Sequence, residues 1–315
     1  MPSLSLTDRI LDNAAPAEDF VPRGKPRWLR APLPSSEHYA KTLDLVNTNQ
    51  LHTVCQEARC PNMGECWSAG VATIMILGDT CTRSCGFCHI KTGRPAPPDL
   101  DEPARVADAV ATMNLRYVVI TSVDRDELSD GGAAVWAHTI RAVRRESPDT
   151  QIEVLIPDFQ GDPDALQTVL DARPDVLAHN LETVARTHRY VRPQAKYDRS
   201  IEVLRRAKEQ NFIAKTGIMV GIGETDDEVT ELMHDVIQLT QSPHGPCDIL
   251  TIGQYLQPSP HHLPVARFVH PDTFADYKIQ GEAIGFTHVE SGPMVRSSYH
   301  ADRQAKAAHE KQQLA

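Results

Sequence analysis

Short apolar segments alternate with helical patterns through most of the chain. Six of the segments are rich in β-branched residues and nearly continuous in apolar character, which is typical of strands buried on both faces. They are Val71–Gly78, Tyr117–Val123, Gln151–Pro157, Val176–Thr183, Ile213–Gly223 and Asp248–Leu256. This pattern predicts six strands of a parallel sheet.

The segments between these strands predict helices. Apolar residues recur at helical spacing over Pro103–Asn114, from Ile201 onward and after Thr225. Thr225 and Glu228 have the spacing of a capping box, which predicts the start of the third helix. Right-handed β-α-β connections in series predict an α/β fold, a partial (β/α)6 TIM-like barrel.

The predicted barrel occupies residues 71–285. Residues 1–50 are rich in proline and charge and predict an irregular N-terminal arm, and residues 51–70 form a separate cysteine-bearing segment. Residues 286–315 form a C-terminal extension. We expect both extensions to cover the mouth of the barrel, where such folds carry their reactive groups.

Composition narrows the class of protein. The formal charge of −10 argues against nucleic-acid binding, which needs a basic surface. No apolar run approaches the ~20 residues that span a membrane. The N-terminal residues lack the apolar core of a secretory signal, and Asp8, Asp12, Glu18 and Asp19 argue against a transit peptide. The sequence therefore predicts a cytosolic protein.

Six of the seven cysteines lie between Cys55 and Cys88. In a reducing cytosol such a group is more often a metal site than a set of disulfides. Cys247 stands alone in the sequence, and we interpret it as a small buried hydrophobic residue.

Cys81, Cys85 and Cys88 have the spacing C-x3-C-x2-C on the loop after the first predicted strand. Three thiolates can bind three irons of an iron–sulfur cluster and leave the fourth iron open. The alternative is a structural zinc site, which needs four ligands and could be completed by His89 or His52. The spacing and the place in the fold favour the iron–sulfur cluster.

This spacing, with Phe87 before the last cysteine, resembles the signature of the radical S-adenosylmethionine (SAM) enzymes. The resemblance implies that the open iron binds SAM and that the reduced cluster cleaves it to a 5′-deoxyadenosyl radical. In such enzymes the cofactor supplies the chemistry and the protein positions and shields it.

A second triplet, Cys55, Cys60 and Cys66, has the spacing C-x4-C-x5-C. By itself it could be a second structural metal site. Its place just upstream of the first motif, together with Arg296–His300 (RSSYH), resembles the lipoyl synthase family from about Cys55 to the C-terminal end. The resemblance implies an auxiliary 4Fe–4S cluster, and so two 4Fe–4S clusters in all.

The resemblance also assigns roles within RSSYH. It implies that Ser298 is the fourth ligand of the auxiliary cluster, with Ser297 as the alternative if the register differs, and that Arg296 is catalytic. Without the resemblance, two serines before a helix would be interpreted as an N-cap.

The implied reaction inserts two sulfur atoms at C6 and C8 of a protein-bound octanoyl-lysine, with the auxiliary cluster as sulfur donor. The implied partners are the E2 subunits of 2-oxoacid dehydrogenases, the glycine cleavage H protein, and an electron donor such as flavodoxin or ferredoxin. Rival interpretations are methylthio transfer, biotin-type sulfur insertion and a zinc-stabilised binding module without enzymatic activity.

A SAM pocket is implied at the ends of the predicted strands. Asn180 and Glu182 would hold the ribose and the methionine part, and Arg192 would pair with the methionine carboxylate. Glycines would let the backbone approach the cofactor closely. These are Gly131 and Gly132 for the amino group and Gly221 for the adenine. His261 and His262 are predicted to lie on a surface loop.

Overall fold

The computed structural model describes residues 24–30, 37–49, 51–58, 60–68 and 73–312. The chain divides into two compact units. The first unit comprises Ala31–Ser84 and His89–Ala178, and the second comprises Met1–Arg30, Cys85–Cys88 and His179–Ala315.

The first unit is built on parallel strands with helices between them. Its strands are β1 (His52–Thr53), β2 (Thr73–Ile76), β3 (Thr80–Cys81), β4 (Lys91–Thr92), β5 (Tyr117–Ser122), β6 (Gln151–Leu155) and β7 (Val176–Ala178). Its helices are α1 (Glu37–Thr48), α2 (Val54–Glu57), α3 (Met63–Ser68), α4 (Glu102–Met113), α5 (Ala133–Glu146) and α6 (Pro163–Leu170). Strands β2, β5, β6 and β7 pair in that order and are parallel, whereas β1 is antiparallel to β2. Strands β3 and β4 form a separate parallel pair.

The second unit continues the same alternation of strands and helices. Its strands are β8 (Ile213–Val220), β9 (Ile249–Gln254) and β10 (His288–Gly292), and its helices are α7 (Ala185–Val191), α8 (Tyr197–Glu209), α9 (Asp226–Leu239), α10 (Pro271–Ile284) and α11 (Ala301–Gln312). Strand β9 pairs in parallel with β8 on one side and with β10 on the other.

Local chemistry explains where the elements begin. Helix α9 starts at a complete capping box, in which Thr225 and Glu228 each bond the other's backbone N–H. Helix α6 starts at Asp162, whose side chain accepts hydrogen bonds from the first turn. Strands β2, β5 and β9 are buried over most of their length, as strands covered on both faces should be.

The predicted α/β class with mostly parallel strands is confirmed, and each of the six predicted strands forms within its predicted range. Residues 71–72, at the start of the first range, lie outside the described residues. No helix in the described ranges is long and apolar enough to cross a membrane.

Two predictions about the ends of the chain were wrong. Residues 37–48 form helix α1 and are not part of an irregular arm. Parallel strands continue beyond residue 285, because β10 pairs with β9. Strand β10 escaped prediction since only Val289 in it is buried, so that its sequence lacks the apolar run of the other strands.

Candidate functional site

The triplet Cys55, Cys60 and Cys66 lies on a short helical segment of the first unit. Helix α2 begins after Thr53, whose side chain accepts a hydrogen bond from the backbone of Gln56. The Cys60 N–H donates to the carbonyl of Cys55 at 3.0 Å, so that the chain continues to turn after α2. Cys66 follows on α3. Local backbone hydrogen bonds therefore place the three thiols close together.

Cys55 is buried, and Cys60 and Cys66 are partly buried. Burial raises the pKa of Cys55, and the neighbouring Cys60 raises it further. Burial raises the pKa of Cys66 to about 12, with smaller contributions from electrostatic repulsion by Cys55 and Cys60. Trp67, the next residue, is fully buried. A bound metal deprotonates a coordinating thiol outright. The positive irons of a cluster would balance the charge of the buried thiolates, so these three cysteines fit an iron cluster.

Helix α1 packs over this segment. The Tyr39 and Trp67 rings lie 5.4 Å apart between centroids. The Thr42 hydroxyl donates to the carbonyl of Trp67 at 3.4 Å. The part of the predicted arm that is helical therefore packs on Trp67, the neighbour of Cys66.

Cys81 lies at the end of β3 in a polar environment. Its sulfur accepts hydrogen bonds from the backbone N–H of Arg83 at 3.4 Å and of Asp124 at 3.3 Å. Its thiol donates to Asp124 Oδ2 at 3.6 Å. Backbone and side-chain groups of two loops thus hold this sulfur in one position.

Arg83 lies inside the motif, two residues after Cys81, and its side chain is 1% exposed. It donates to both carboxylate oxygens of Asp126 at 2.7 and 2.8 Å and to Asp158 at 2.6 Å. Asp124 lies 3.3 Å from its Nη1. Burial by itself would lower the pKa of Arg83, but the three carboxylates raise it overall, so the guanidinium stays charged.

Cys85 and Cys88 form a tight turn in the second unit. The Cys88 N–H donates to the carbonyl of Cys85 at 3.1 Å. Gly86 between them donates to the carbonyl of Val191 at 2.8 Å and accepts from the Leu263 N–H at 3.0 Å. A side chain at Gly86 would collide with Leu263, since a Cβ there would lie 2.9 Å from its Cγ. The turn is therefore pinned on both sides by backbone.

Phe87 fills an apolar space under this turn. It packs against a buried cluster made of Val191, Ile222, Tyr255 and Leu263. The aromatic residue of the motif thus anchors the turn in the core of the second unit, which explains why a large apolar side chain stands there.

His262 lies in a loop, as predicted, but it is partly buried and contacts the turn. Its Nε2 lies 3.0 Å from the carbonyl oxygen of Cys88, and its Nδ1 lies 2.8 Å from Ser259 Oγ. Gln257 donates to the backbone carbonyl of His262 at 2.9 Å. His261 beside it is exposed, as predicted.

Asn180, Glu182 and Arg192 meet in the second unit. Asn180 Nδ2 donates to Glu182 Oε1 at 3.1 Å, and Arg192 Nη1 donates to the carbonyl of Asn180 at 2.7 Å. Burial raises the pKa of Glu182, and the charge of Arg192 partly offsets this. Asn180 Oδ1 and Arg192 Nε are buried without a hydrogen-bond partner among the described residues. Such orphan groups are what a polar ligand would satisfy, so the three residues fit a SAM site.

The three predicted glycines have local reasons to be glycine. Gly131 and Gly132 have φ values of +59° and +89°, a conformation that disfavours other residues. Gly221 has a φ of +97°. A Cβ at Gly221 would overlap Gln254 Nε2 and the Arg267 carbonyl, so the close approach there is made by the protein's own groups.

Ser298 lies in a turn before the last helix. The Tyr299 N–H donates to the carbonyl of Arg296 at 2.9 Å, which closes the turn around the serine. Helix α11 begins at Ala301. Neither Ser298 nor Ser297 therefore occupies the N-cap position, and the N-cap interpretation is wrong.

The segment that leads into this turn is seated on β9. The Val295 N–H donates to the carbonyl of Gly292 at 3.0 Å. A Cβ at Gly253 would overlap the Val295 carbonyl oxygen and lie 3.1 Å from Arg296 Nη1. Gly253 therefore allows the backbone before Ser298 to lie directly on the strand.

The structure distributes the predicted ligands over the two units. Cys55, Cys60, Cys66 and Cys81 belong to the first unit, and Cys85, Cys88 and Ser298 belong to the second. Within the described ranges, no three cysteine, histidine, aspartate or glutamate side chains converge as ligands of a single metal ion. An iron–sulfur cluster binds each thiolate on a separate iron, so its ligands need not converge on one point.

Comparison with known proteins identifies the family. The Radical SAM superfamily matches residues 75–236 of the chain. A lipoyl synthase of Rubrobacter xylanophilus is 58% identical over 287 residues, which cover 90% of this chain and 88% of that relative. A mitochondrial lipoyl synthase of Nematostella vectensis is 51% identical over 286 residues, covering 90% of this chain and 96% of that relative. The chain belongs to the lipoyl synthase family.

A solved structure supports the fold. The FeFe-hydrogenase maturase HydG from Carboxydothermus hydrogenoformans has a TM-score of 0.55 and 13% sequence identity, over 86% of this chain and 69% of that one. At this identity the likeness shows the fold alone, the partial barrel that was predicted. As a member of the lipoyl synthase family, the chain is a radical SAM enzyme that uses two 4Fe–4S clusters and SAM.

Sequence reasoning missed part of the surroundings of these lipoyl synthase motifs. Asp124 and Asp126 follow β5, and Asp158 follows β6, so all three stand where strands of such folds end in reactive loops. Arg83 lies within the cysteine motif itself. These positions were a signal, but the pairing of one arginine with three acids depends on the fold.

Proposed function

We propose that the two cysteine triplets hold clusters with different tasks. Cys81, Cys85 and Cys88 would hold the cluster that binds SAM. Cys55, Cys60 and Cys66 would hold the auxiliary cluster, with Ser298 as its fourth ligand. The proposal is supported by the different surroundings of the triplets, since burial dominates at Cys66 and a network of charges surrounds Cys81.

The reaction of the family is the insertion of two sulfur atoms at C6 and C8 of an octanoyl group on a lysine, which gives lipoyl-lysine. The target carbons are unactivated and offer no group for an acid, a base or a nucleophile to attack. Bound SAM and its cluster would supply a radical that removes hydrogen from such carbon, and the auxiliary cluster would supply the sulfur.

The residues of the second unit would bind and orient SAM. A guanidinium suits a carboxylate, so Arg192 would pair with the methionine part. The partnerless Asn180 Oδ1 can accept a hydrogen bond from a hydroxyl or ammonium group. Glu182 is held at a φ of +68° by backbone hydrogen bonds to Gly217 and Met219, which fixes its carboxylate beside Asn180. The glycines would contribute by allowing backbone conformations that bring the main chain close to the cofactor. They are Gly131, Gly132 and Gly221.

Ser298 and Arg296 would serve the auxiliary cluster. A serine alkoxide is a harder ligand than a thiolate, so its bond to iron should be lost more easily. A cluster that gives up sulfur needs such a ligand. Arg296 stands two residues earlier in the same turn and would place its charge beside the reacting groups.

The partners follow from the substrate. The octanoyl-lysine would be presented by carrier domains, namely E2 subunits of 2-oxoacid dehydrogenases and the glycine cleavage H protein, and the electron by flavodoxin or ferredoxin. Docking of such carriers should be transient and of modest area. We propose the cytosol as the place of reaction.

Anaerobic turnover of an octanoyl-lysine peptide with SAM and a reductant tests the function. We expect the mass of the peptide to show two hydrogens replaced by two sulfurs. Ser298→Ala should reduce sulfur insertion and leave SAM cleavage intact, whereas Ser297→Ala serves as the matched control. Deoxyadenosine formed without any change in the peptide would contradict sulfur insertion, and zinc in place of iron and sulfide would favour the binding module.

A further inference from the structure

We propose that Arg83 and Asp124 form a charge pair that positions Cys81 and sets the reduction potential of the cluster bound there. The inference rests on the proposed function only in that Cys81 is taken as a cluster ligand. Arg83 and Asp124 are positioning residues in this proposal, since they act through the sulfur and do not touch SAM or the substrate.

Both members of the pair donate a backbone N–H to the same sulfur. The N–H of Arg83 lies 3.4 Å and that of Asp124 lies 3.3 Å from Cys81 Sγ. Hydrogen bonds to cluster sulfurs are among the factors that set the potential of an iron–sulfur centre. The two side chains are themselves paired, with 3.3 Å between Arg83 Nη1 and Asp124 Oδ1, so both donors and both charges lie beside the same sulfur.

The side chains add charge at the same place. Asp124 Oδ2 lies 3.6 Å from Cys81 Sγ, so once the thiol has lost its proton to a metal, two negative groups are in contact. A nearby negative charge disfavours the addition of an electron to the cluster. The Arg83 guanidinium, which is buried and so poorly screened by solvent, counters it.

Arg83 is held from behind by two further acids. Asp126 binds it through both carboxylate oxygens, and Asp158, whose side chain is fully buried, binds it at 2.6 Å. A bidentate pair of this kind fixes both the place and the plane of a guanidinium. The positive charge therefore cannot swing away from Asp124.

Backbone hydrogen bonds hold the two loops together without these side chains. The Thr82 N–H and hydroxyl both donate to the carbonyl of Asp124, at 3.1 and 3.0 Å, and the Asp126 N–H donates to the Thr82 hydroxyl at 3.1 Å. Changing the charge at position 124 should therefore leave the loops in place. This makes the electrostatic effect separable from the fold.

The test is a redox titration of the intact enzyme with both clusters, followed by electron paramagnetic resonance with and without SAM. The signal that responds to SAM reports the cluster of interest, and the other cluster is the internal reference. Asp124→Asn should raise the ratio of reduced to oxidised cluster about tenfold at a fixed potential, equivalent to about 59 mV for one electron. Arg83→Gln should lower the ratio by a similar factor, and Arg83→Lys, which keeps the charge, should restore it.

Arg125→Gln is the matched control. Arg125 is the neighbour of Asp124 and is also buried, but its guanidinium binds Glu127 and the carbonyls of Leu77 and Ala96. The Arg125→Gln variant should leave the ratio of reduced to oxidised cluster unchanged. Arg83→Gln could fail to fold because it leaves the buried Asp158 unpaired. In that case the shift measured in Asp124→Asn, compared with that in Arg125→Gln, still tests the proposal.

Opposite shifts in the Asp124 and Arg83 variants cannot come from a loosened loop, which would move both in one direction. Shifts of the same sign, no shift, or an equal shift in Arg125→Gln would overturn the proposal. A SAM-responsive signal that survives in Cys81→Ala would instead show that Cys81 is not a ligand of this cluster. That result would contradict the proposed function and is distinct from a failure of the charge pair.

Discussion

The segments around Cys66 and around Cys81 lie in the same unit and carry the same kind of ligand, yet they are stabilised in opposite ways. The first carries the fully buried Trp67, and burial is the main cause that raises the pKa of Cys55 and Cys66. The second is surrounded by hydrogen-bond donors, three carboxylates and an arginine. We therefore expect a cluster bound at Cys66 to depend mainly on packing and one bound at Cys81 to depend mainly on electrostatics.

This difference suits the tasks that we propose. A cluster that repeatedly accepts an electron needs a fixed potential, which charges and N–H donors provide. A cluster that gives up sulfur is rebuilt, so its ligands have to stay together while the metal is absent. We expect packing to keep the thiols of Cys55, Cys60 and Cys66 near one another while the metal is absent.

The largest expected effect is the loss of a different activity when one cysteine of each triplet is replaced. Cys81→Ala should abolish formation of deoxyadenosine, because the cluster that binds SAM loses a ligand. Cys66→Ala should retain deoxyadenosine formation and lose sulfur insertion. Chromatography of deoxyadenosine and mass spectrometry of the peptide measure both. Loss of SAM cleavage in both variants would break the division of tasks.

Packing around Cys55, Cys60 and Cys66 can be tested by comparing two buried tryptophans. Trp67→Ala should lower stability by about 3–5 kcal/mol and also deplete the iron of the auxiliary cluster. Trp136, on α5, is also fully buried, and Trp136→Ala should cost a similar amount of stability without selective loss of iron. Thermal unfolding and iron and sulfide analysis check this. Equal iron loss in both variants would show that general destabilisation is responsible.

The smallest expected effect concerns the turn of Cys85 and Cys88. His262→Ala removes a hydrogen bond to the Cys88 carbonyl, worth about 1 kcal/mol, and should slow SAM cleavage about fivefold. His261→Ala, at the exposed neighbour, should leave the rate unchanged. Single-turnover measurement of deoxyadenosine gives both rates. A normal rate in the His262 variant would mean that the backbone bonds of Gly86 suffice to hold the turn.

Much of the fold could be predicted because its signals are local. The six strands are apolar runs, and the capping box at Thr225 is a pair of residues three apart. Cys247 is fully buried, and its thiol bonds the carbonyl of Ala214, as expected for a cysteine outside the ligand sets. Helix α1 and strand β10 were missed because tertiary packing and pairing, more than their own sequence, stabilise them.

The proposed ligands remain a prediction from the sequence, and their surroundings could not be predicted at all. The cysteine spacings indicate two metal-binding segments, and RSSYH could be assigned only by resemblance. The pairing of Arg83 with acids from β5 and β6 joins residues up to 75 positions apart in sequence. No local pattern encodes such contacts, and the same is true of His262 and Cys88, 174 positions apart.

Gly253 shows how the smallest change can act at a distance. One added methyl group there would occupy the place of the Val295 carbonyl, so Gly253→Ala would push the RSSYH segment off its strand without altering any proposed ligand. Replacing glycine by alanine is usually a mild change, but at position 253 it should be strongly disruptive. We therefore expect position 253 to be restricted to glycine although it takes no part in the chemistry.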